Sequence, residues 1–326
     1  MSILERVRRR AGGKVVEGFF RGMAGLGQMH PRARPARHGV QVLRDVPYLP
    51  SGKRDHLLDV YRPVQASAES KLPALLYIHG GGFHILSKDT HWVMGIALAR
   101  ARFVVFSVNY RLAPASRFPA AVEDVCEAYR WIVEHAAEYG ADASKLVVAG
   151  ESAGGNLTTA VTIAACFERS EPYAKRVFET GVVPKAVMPA CAILQVSDSQ
   201  RFARRRPDMP RFVADRIEDV MVAYLGSRDI VPGSRPELDF ADPLLVFERQ
   251  EKPARPIPPF FIPCGTADPL LDDSRRLASA LRLMNVVVDE QYYPGEVHAF
   301  HAFVFRAQAK KCWSDTYRFL DRHVPR

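Results

Sequence analysis

The chain has 326 residues, of which 48% are hydrophobic. That is room for one large α/β domain with insertions or for two small ones. No apolar run approaches the ~20 residues that span a bilayer, and no apolar core of leader length follows the basic start, so the reading is a soluble, cytoplasmic protein. The formal net charge of +9 lies wholly in residues 1–54, with 12 Lys+Arg against 3 Asp+Glu, while the remainder carries 33 of each. A nucleic-acid-binding body is therefore excluded, and the charge belongs to an arm.

Within that arm, Ile3, Leu4 and Val7, then Val15, Phe19 and Met23 with Val16 and Phe20, recur at helical spacing. Residues 2–26 are predicted to form two amphipathic pieces broken near Gly12-Gly13. Residues 40–46 and 56–62 read as an antiparallel pair about a Pro-Ser-Gly turn. From there strand-like runs at 73–78, 103–108, 145–149, 186–194, 259–264 and 286–293 alternate with helices centred near 90–101, 120–138, 153–167, 272–284 and 302–322. Such alternation predicts an α/β fold, a mostly parallel sheet covered by helices on both faces. More than sixty residues separate Leu194 from Pro259. A connection of that length predicts an insertion, and Val213, Ile217, Val220, Met221 and Tyr224 after Pro210 place a helix in it. The expected organisation is an arm over 1–45 that contributes to a cap, a core over 46–196, a cap insertion over 197–240 and the rest of the core over 241–326.

Two short motifs carry chemistry. Gly150-Glu151-Ser152-Ala153-Gly154 follows the strand-like Lys145 to Ala149 and opens a helix, so Ser152 is expected on a sharp strand-to-helix turn that exposes its hydroxyl. His79-Gly80-Gly81-Gly82 follows the strand Pro73 to Ile78. Glycines there let backbone N–H groups approach a ligand, as an oxyanion requires. Phosphate binding fits poorly, because neither Gly-Lys-Ser/Thr nor G-x-G-x-x-G follows. The five cysteines, Cys126, Cys166, Cys191, Cys264 and Cys312, are scattered without a C-x-x-C pair and read as small buried hydrophobes, not as a disulfide frame or a metal site.

A serine nucleophile needs a histidine base, and the base needs an acid. Ala-Asp-Pro-Leu-Leu occurs twice, at 241–245 and 267–271. Asp268 follows a strand at its carboxyl end, where open α/β sheets place their sites, and is favoured; Asp242 precedes that strand and reads as the return from the insertion. Asp272 and Asp273 are lesser rivals that suit a helix start. His298 follows the last strand in a loop and is favoured over His301, which is expected in the final helix. His79 reads as a structural brace for the glycine loop, and His84 and His91 as ordinary.

With these residues in place the chain resembles the hormone-sensitive-lipase-like branch of the α/β-hydrolases, the bacterial carboxylesterases with a His-Gly-Gly-Gly motif. The resemblance runs from about His56 to the C-terminus. It also includes Val108-Asn109-Tyr110-Arg111-Leu112-Ala113-Pro114, Phe118-Pro119-Ala120-Ala121, Asp124, Gly155-Asn156-Leu157, Asp268-Pro269-Leu270 and His298-Ala299-Phe300. It implies an α/β-hydrolase fold with a helical cap, and a Ser152, Asp268 and His298 triad. It also implies oxyanion donors at the N–H groups of Gly81, Gly82 and Ala153. Three residues depart from the family pattern: Ala115 stands for Glu, Ala299 for Gly and Glu151 for Asp. The expected activity is hydrolysis of short- to medium-chain carboxylic esters through an acyl-enzyme, with no metal or other cofactor and a small-molecule ester as partner. An amidase, formamidase or lactonase on the same triad, and a non-catalytic small-molecule receptor, are the alternatives. The basic arm has two candidate partners: the apolar face of the 211–225 helix, which is favoured, and an anionic membrane. Assembly as a homodimer stays open.

Overall fold

The computed structural model describes residues 3–67, 71–227, 230 and 236–324, with side chains placed from Gly12 onward, Arg32 and Pro236 apart. Helix α1 (Ile3–Met29) opens the chain, followed by β1 (Val40–Pro47), β2 (Leu57–Pro63), β3 (Leu72–Ile78), α2 (Trp92–Arg100) and β4 (Val104–Val108). Next come α3 (Ala120–His135), β5 (Ala141–Glu151), α4 (Ala153–Cys166), α5 (Pro172–Glu179) and β6 (Ala186–Ala190). The insertion holds α6 (Arg201–Arg205) and α7 (Arg211–Leu225). The chain ends with α8 (Pro243–Glu248), β7 (Phe260–Gly265), α9 (Leu271–Leu283), β8 (Val288–Tyr293) and α10 (Ala307–His323).

The strands form one eight-stranded sheet in the order β1-β2-β4-β3-β5-β6-β7-β8. β1 pairs antiparallel with β2, and β2 with β4; every other pairing is parallel. Alternate residues of the same strands feed two cores, as the period of a strand requires. Leu76, Ile78, Phe106 and Val148 pack beneath α3, α4, α8 and α9. Leu75, Tyr77, Val105 and Val147 pack beneath α2 and α10. Because both faces are covered, β3 and β4 are buried at every position, which is why they read as unbroken apolar runs.

Three expectations need correction. The arm is one helix, not two, and runs straight through Gly12-Gly13. Two glycines cost a helix interior about 1 kcal/mol each, but a Cβ at Gly12 would lie 2.8 Å from Arg216 Nη1 and 3.1 Å from the Phe212 ring. The glycine is the close approach of α1 to α7, so the break expected from propensity is overridden by docking. The strand expected over 186–194 stops at Ala190, because Cys191 turns into the left-handed region (φ 38°) and the Leu194 N–H donates to Asp273 Oδ2 at 2.7 Å instead of to a ladder. The last helix begins at Ala307, not near 302, behind a 3-10 turn over Phe300–Ala302. The expectation for Ile3, Leu4 and Val7 falls outside the described side chains. Among the described residues no helix is long and apolar enough to cross a membrane.

Candidate active site

Four loops meet at the carboxyl edge of the sheet, and strand register decides which are neighbours. Ile78 pairs with Gly150, so the glycine loop after β3 and the Ser152 turn after β5 leave the sheet side by side. Gly265 pairs with Tyr293, which does the same for the loops that carry Asp268 and His298.

Ser152 sits between β5 and α4 at φ 55° and ψ −118°. For a residue with a Cβ this backbone costs on the order of 1–3 kcal/mol and persists only where its surroundings enforce it. They do so by hydrogen bonds: Ser152 N–H donates to Ala190 O at 2.9 Å, and Ser152 O accepts from Asn156 N–H at 3.1 Å. The turn is also packed too closely for side chains, since a Cβ on Gly154 would lie 2.1 Å from Ile78 O. Ala153 is the first residue of α4, so its N–H belongs to the helix's unpaired first turn. Gly81 adopts φ 117°, and a Cβ there would lie 2.0 Å from Ile85 O. His79 braces this loop: it is buried and stacks on Tyr110 with ring centroids 4.3 Å apart, while its carbonyl accepts from the Tyr110 hydroxyl at 3.0 Å. Burial pushes its imidazole pKa down to about 3, which keeps the ring neutral.

His298 Nδ1 lies 2.8 Å from Asp268 Oδ2 in a hydrogen bond. Asp268 is fully buried, and its other oxygen accepts the Leu270 N–H at 2.8 Å. Burial alone would lower the His298 pKa, but the Asp268 carboxylate raises it well above the ordinary histidine value, with Cys191 nearby adding to the effect. The rival acids lie elsewhere. Asp242 accepts the Ser197 N–H at 2.9 Å and so ties together the two ends of the insertion. Asp272 pairs with Arg205. Asp273 is buried and accepts from Arg201 Nε at 3.1 Å, with a second contact from Arg201 Nη2. His301 and His91, which sequence reasoning set aside, both reach Glu151. Only a signal spanning 60 to 150 residues would have found them.

Ser152, His298, Gly81 and Gly82 line one cavity of about 440 Å³. Its roof is helical: Phe212, Val213, Ile217 and Val220 come from α7, and Val16 and Phe20 from α1. The arm is further held where the Trp92 indole N–H donates to Ala24 O at 3.3 Å and Gln28 Nε2 donates to Asp89 O at 3.2 Å. The insertion is fastened to the body by Arg201 and Asp273. Arg201→Ala is expected to cost about 3–5 kcal/mol in chemical denaturation, because it takes from the buried Asp273 carboxylate the cation hydrogen-bonded to it and leaves only Arg276, 3.9 Å away. The pair replaced together should recover part of that loss.

Residues 75–302 match the family described as "alpha/beta hydrolase fold". The chain is 34% identical over 256 residues to the carboxylesterase NlhH of Mycobacterium tuberculosis, covering 77% of this chain and 73% of that one. It is 33% identical over 250 residues to an ethyl acetate hydrolase of Pseudomonas putida, covering 75% and 72%. Among solved structures, a bacterial heroin esterase superposes with a TM-score of 0.75 at 23% identity over 95% of this chain and 91% of that one. An esterase of the bacterial hormone-sensitive lipase family superposes with a TM-score of 0.70 at 23% identity over the whole of both chains. Sheet order, the strand-to-helix serine turn and these matches agree, and the chain belongs to the α/β-hydrolase family, among its carboxylesterases.

Proposed function

We propose that Ser152 is the nucleophile of this carboxylesterase, His298 its general base and Asp268 the acid that orients the base. The observation that carries the assignment is the 2.8 Å His298–Asp268 hydrogen bond, with His298 lining the same cavity as Ser152 and the glycine loop. In the reaction Ser152 Oγ attacks the ester carbonyl and its proton passes to His298 Nε2. The N–H groups of Gly81, Gly82 and Ala153 hold the oxyanion, each such donor being worth ~2.7–4 kcal/mol of barrier. The imidazolium then protonates the leaving alcohol, and water, activated by the same base, releases the acid. Asp268 keeps the proton of the neutral ring on Nδ1, which leaves Nε2 free to accept.

The cap in this reading combines the arm (1–45) with the insertion (197–240), and the body comprises 46–196 and 241–326. The five cysteines, all buried and unpaired, suit a reducing compartment such as the cytoplasm. A cavity of about 440 Å³ closed over by α1 and α7 has a finite apolar length, so short to medium acyl chains are the expected substrates. Each methylene that still finds wall gains about 0.8 kcal/mol, near fourfold in kcat/KM. On a chromogenic ester series, kcat/KM is expected to rise and then fall, and Phe20→Ala to move the maximum to a longer chain. Rates that kept climbing on emulsified long-chain triglycerides would contradict this. Deletion of residues 2–30 checks the arm: a loss of turnover or a changed chain-length profile supports the cap, and unchanged kinetics with lost binding to anionic vesicles would overturn it.

A further inference from the structure

Glu151, the residue before Ser152, is buried at the end of β5 and reaches the base's loop, the glycine loop and the start of α2. One oxygen accepts from His91 Nε2 at 2.8 Å, and the other lies 2.7 Å from His301 Nε2. His91 stands at the start of α2 and is itself held, with Nδ1 2.9 Å from Thr90 Oγ1 and 3.0 Å from Ser87 O. His301 lies three residues beyond His298, in the 3-10 turn of the base's loop, and its carbonyl accepts the Trp313 indole N–H at 3.1 Å. The glycine loop rests on the same side chain, since a Cβ on Gly80 would lie 3.1 Å from Glu151 Cγ. Both histidines are buried as well.

We propose that Glu151 is the positioning residue of this site, a clamp that fixes the nucleophile's turn against the base's loop through His301, against the start of α2 through His91 and against the glycine loop at Gly80. The inference rests on the triad reading above and adds a residue to it that touches no reacting atom. The chemistry suits the task. A carboxylate offers two oxygens, and here one accepts the His91 N–H while the other stands 2.7 Å from His301 Nε2 in close contact but out of line for a hydrogen bond, so one side chain meets two separate segments at once. Neighbouring His91 and His301 overcome the effect of burial and hold the Glu151 pKa well below the usual carboxylate range, so the clamp stays charged through the working range of pH. Because Ser152 is its chain neighbour and His298 is three residues from His301, a shift of either histidine contact moves the nucleophile relative to its base.

Glu151→Gln keeps length but loses the charge and one acceptor, and its amide N–H₂ then faces an N–H donor. The expected result is a fall in kcat of about 10- to 100-fold, the scale of a misplacement near 1 Å, with KM within twofold and the same fall in the rate of labelling by a serine-directed phosphonate. Glu151→Asp, which keeps the charge but cannot span both histidines, should recover only part of the rate. His301→Gln should lower kcat as well, and the double variant with Glu151→Gln should lose no more than Glu151→Gln alone, because the two act as one unit. All rates are taken per titrated active site. A lower Tm with wild-type kcat per active site in Glu151→Gln would overturn the proposal and leave a structural ion pair. If Glu151→Gln does not fold, His301→Gln decides by the same criterion. Wild-type protein inactive on every ester would instead remove the triad reading, so the two failures are distinct.

Discussion

Ser152→Ala is expected to lower kcat on a short-chain ester by about 10⁶-fold, the loss seen when a hydrolase that works through a serine nucleophile is deprived of it. The size follows from the mechanism: without Oγ no acyl-enzyme forms, and what survives is binding and the oxyanion donors acting on water. Folding should be spared. The turn's geometry is enforced by backbone partners, the Ala190 carbonyl and the Asn156 N–H, and by the glycines at 150 and 154. Alanine lacks only the hydroxyl, and the φ of 55° strains it no more than serine. Denaturation midpoints within a few degrees of wild type, with activity at background, are the expected pair of readings.

Asp268→Asn should lower kcat by about 10⁴-fold, because Asn favours the imidazole tautomer with its proton on Nε2, where the serine proton must go. A second signature is the pH profile. With His298 as the proposed base, activity requires its neutral form, so kcat/KM is expected to fall as pH drops through the pKa of the free enzyme's imidazole. Burial lowers that pKa and the Asp268 carboxylate more than offsets it, which places the acid limb of the wild type above the ordinary histidine range. Removing the carboxylate's charge leaves burial dominant, and the residual activity of Asp268→Asn should retain its acid limb at lower pH than the wild type. Asp242→Asn is the control, drawn from the duplicated Ala-Asp-Pro-Leu-Leu. Its carboxyl, raised in pKa by burial, holds the Ser197 N–H at the base of the insertion. Asn retains an acceptor there, so the expected cost is on the order of 1 kcal/mol of stability, with little change in kcat. Turnover in the reverse order would exchange the roles given to the two acids.

What the sequence makes legible is whatever one local stretch encodes. Continuous apolar runs announce β3, β4 and β5. The glycine loop and the Ser152 turn are recognisable because each joins the end of such a run. Asp268 is separable from Asp242, and His298 from His301, by position after β7 and β8, and the His298–Asp268 pairing follows from that placement. What stays hidden depends on partners far away in the chain. Gly12-Gly13 reads as a helix break, and only Arg216 and Phe212 of α7 reveal why glycine is needed within one continuous helix. His91 looks ordinary, and His301 a lesser candidate for the base, until Glu151 is placed between them. Asp273 suits a helix start, yet its buried oxygens are taken by Arg201 and the Leu194 N–H. The substitution of Glu for the family's Asp at 151 is visible in the sequence, but its two contacts are not.

Reaction of the native protein with a serine-directed phosphonate, followed by peptide mapping, tests the assignment of the nucleophile most directly. The expected outcome is one adduct per chain on Ser152, formed in step with the loss of ester hydrolysis, slowed by a competing ester and absent in Ser152→Ala. Complete inactivation with the adduct on another residue, or full modification of Ser152 with hydrolysis intact, would contradict it.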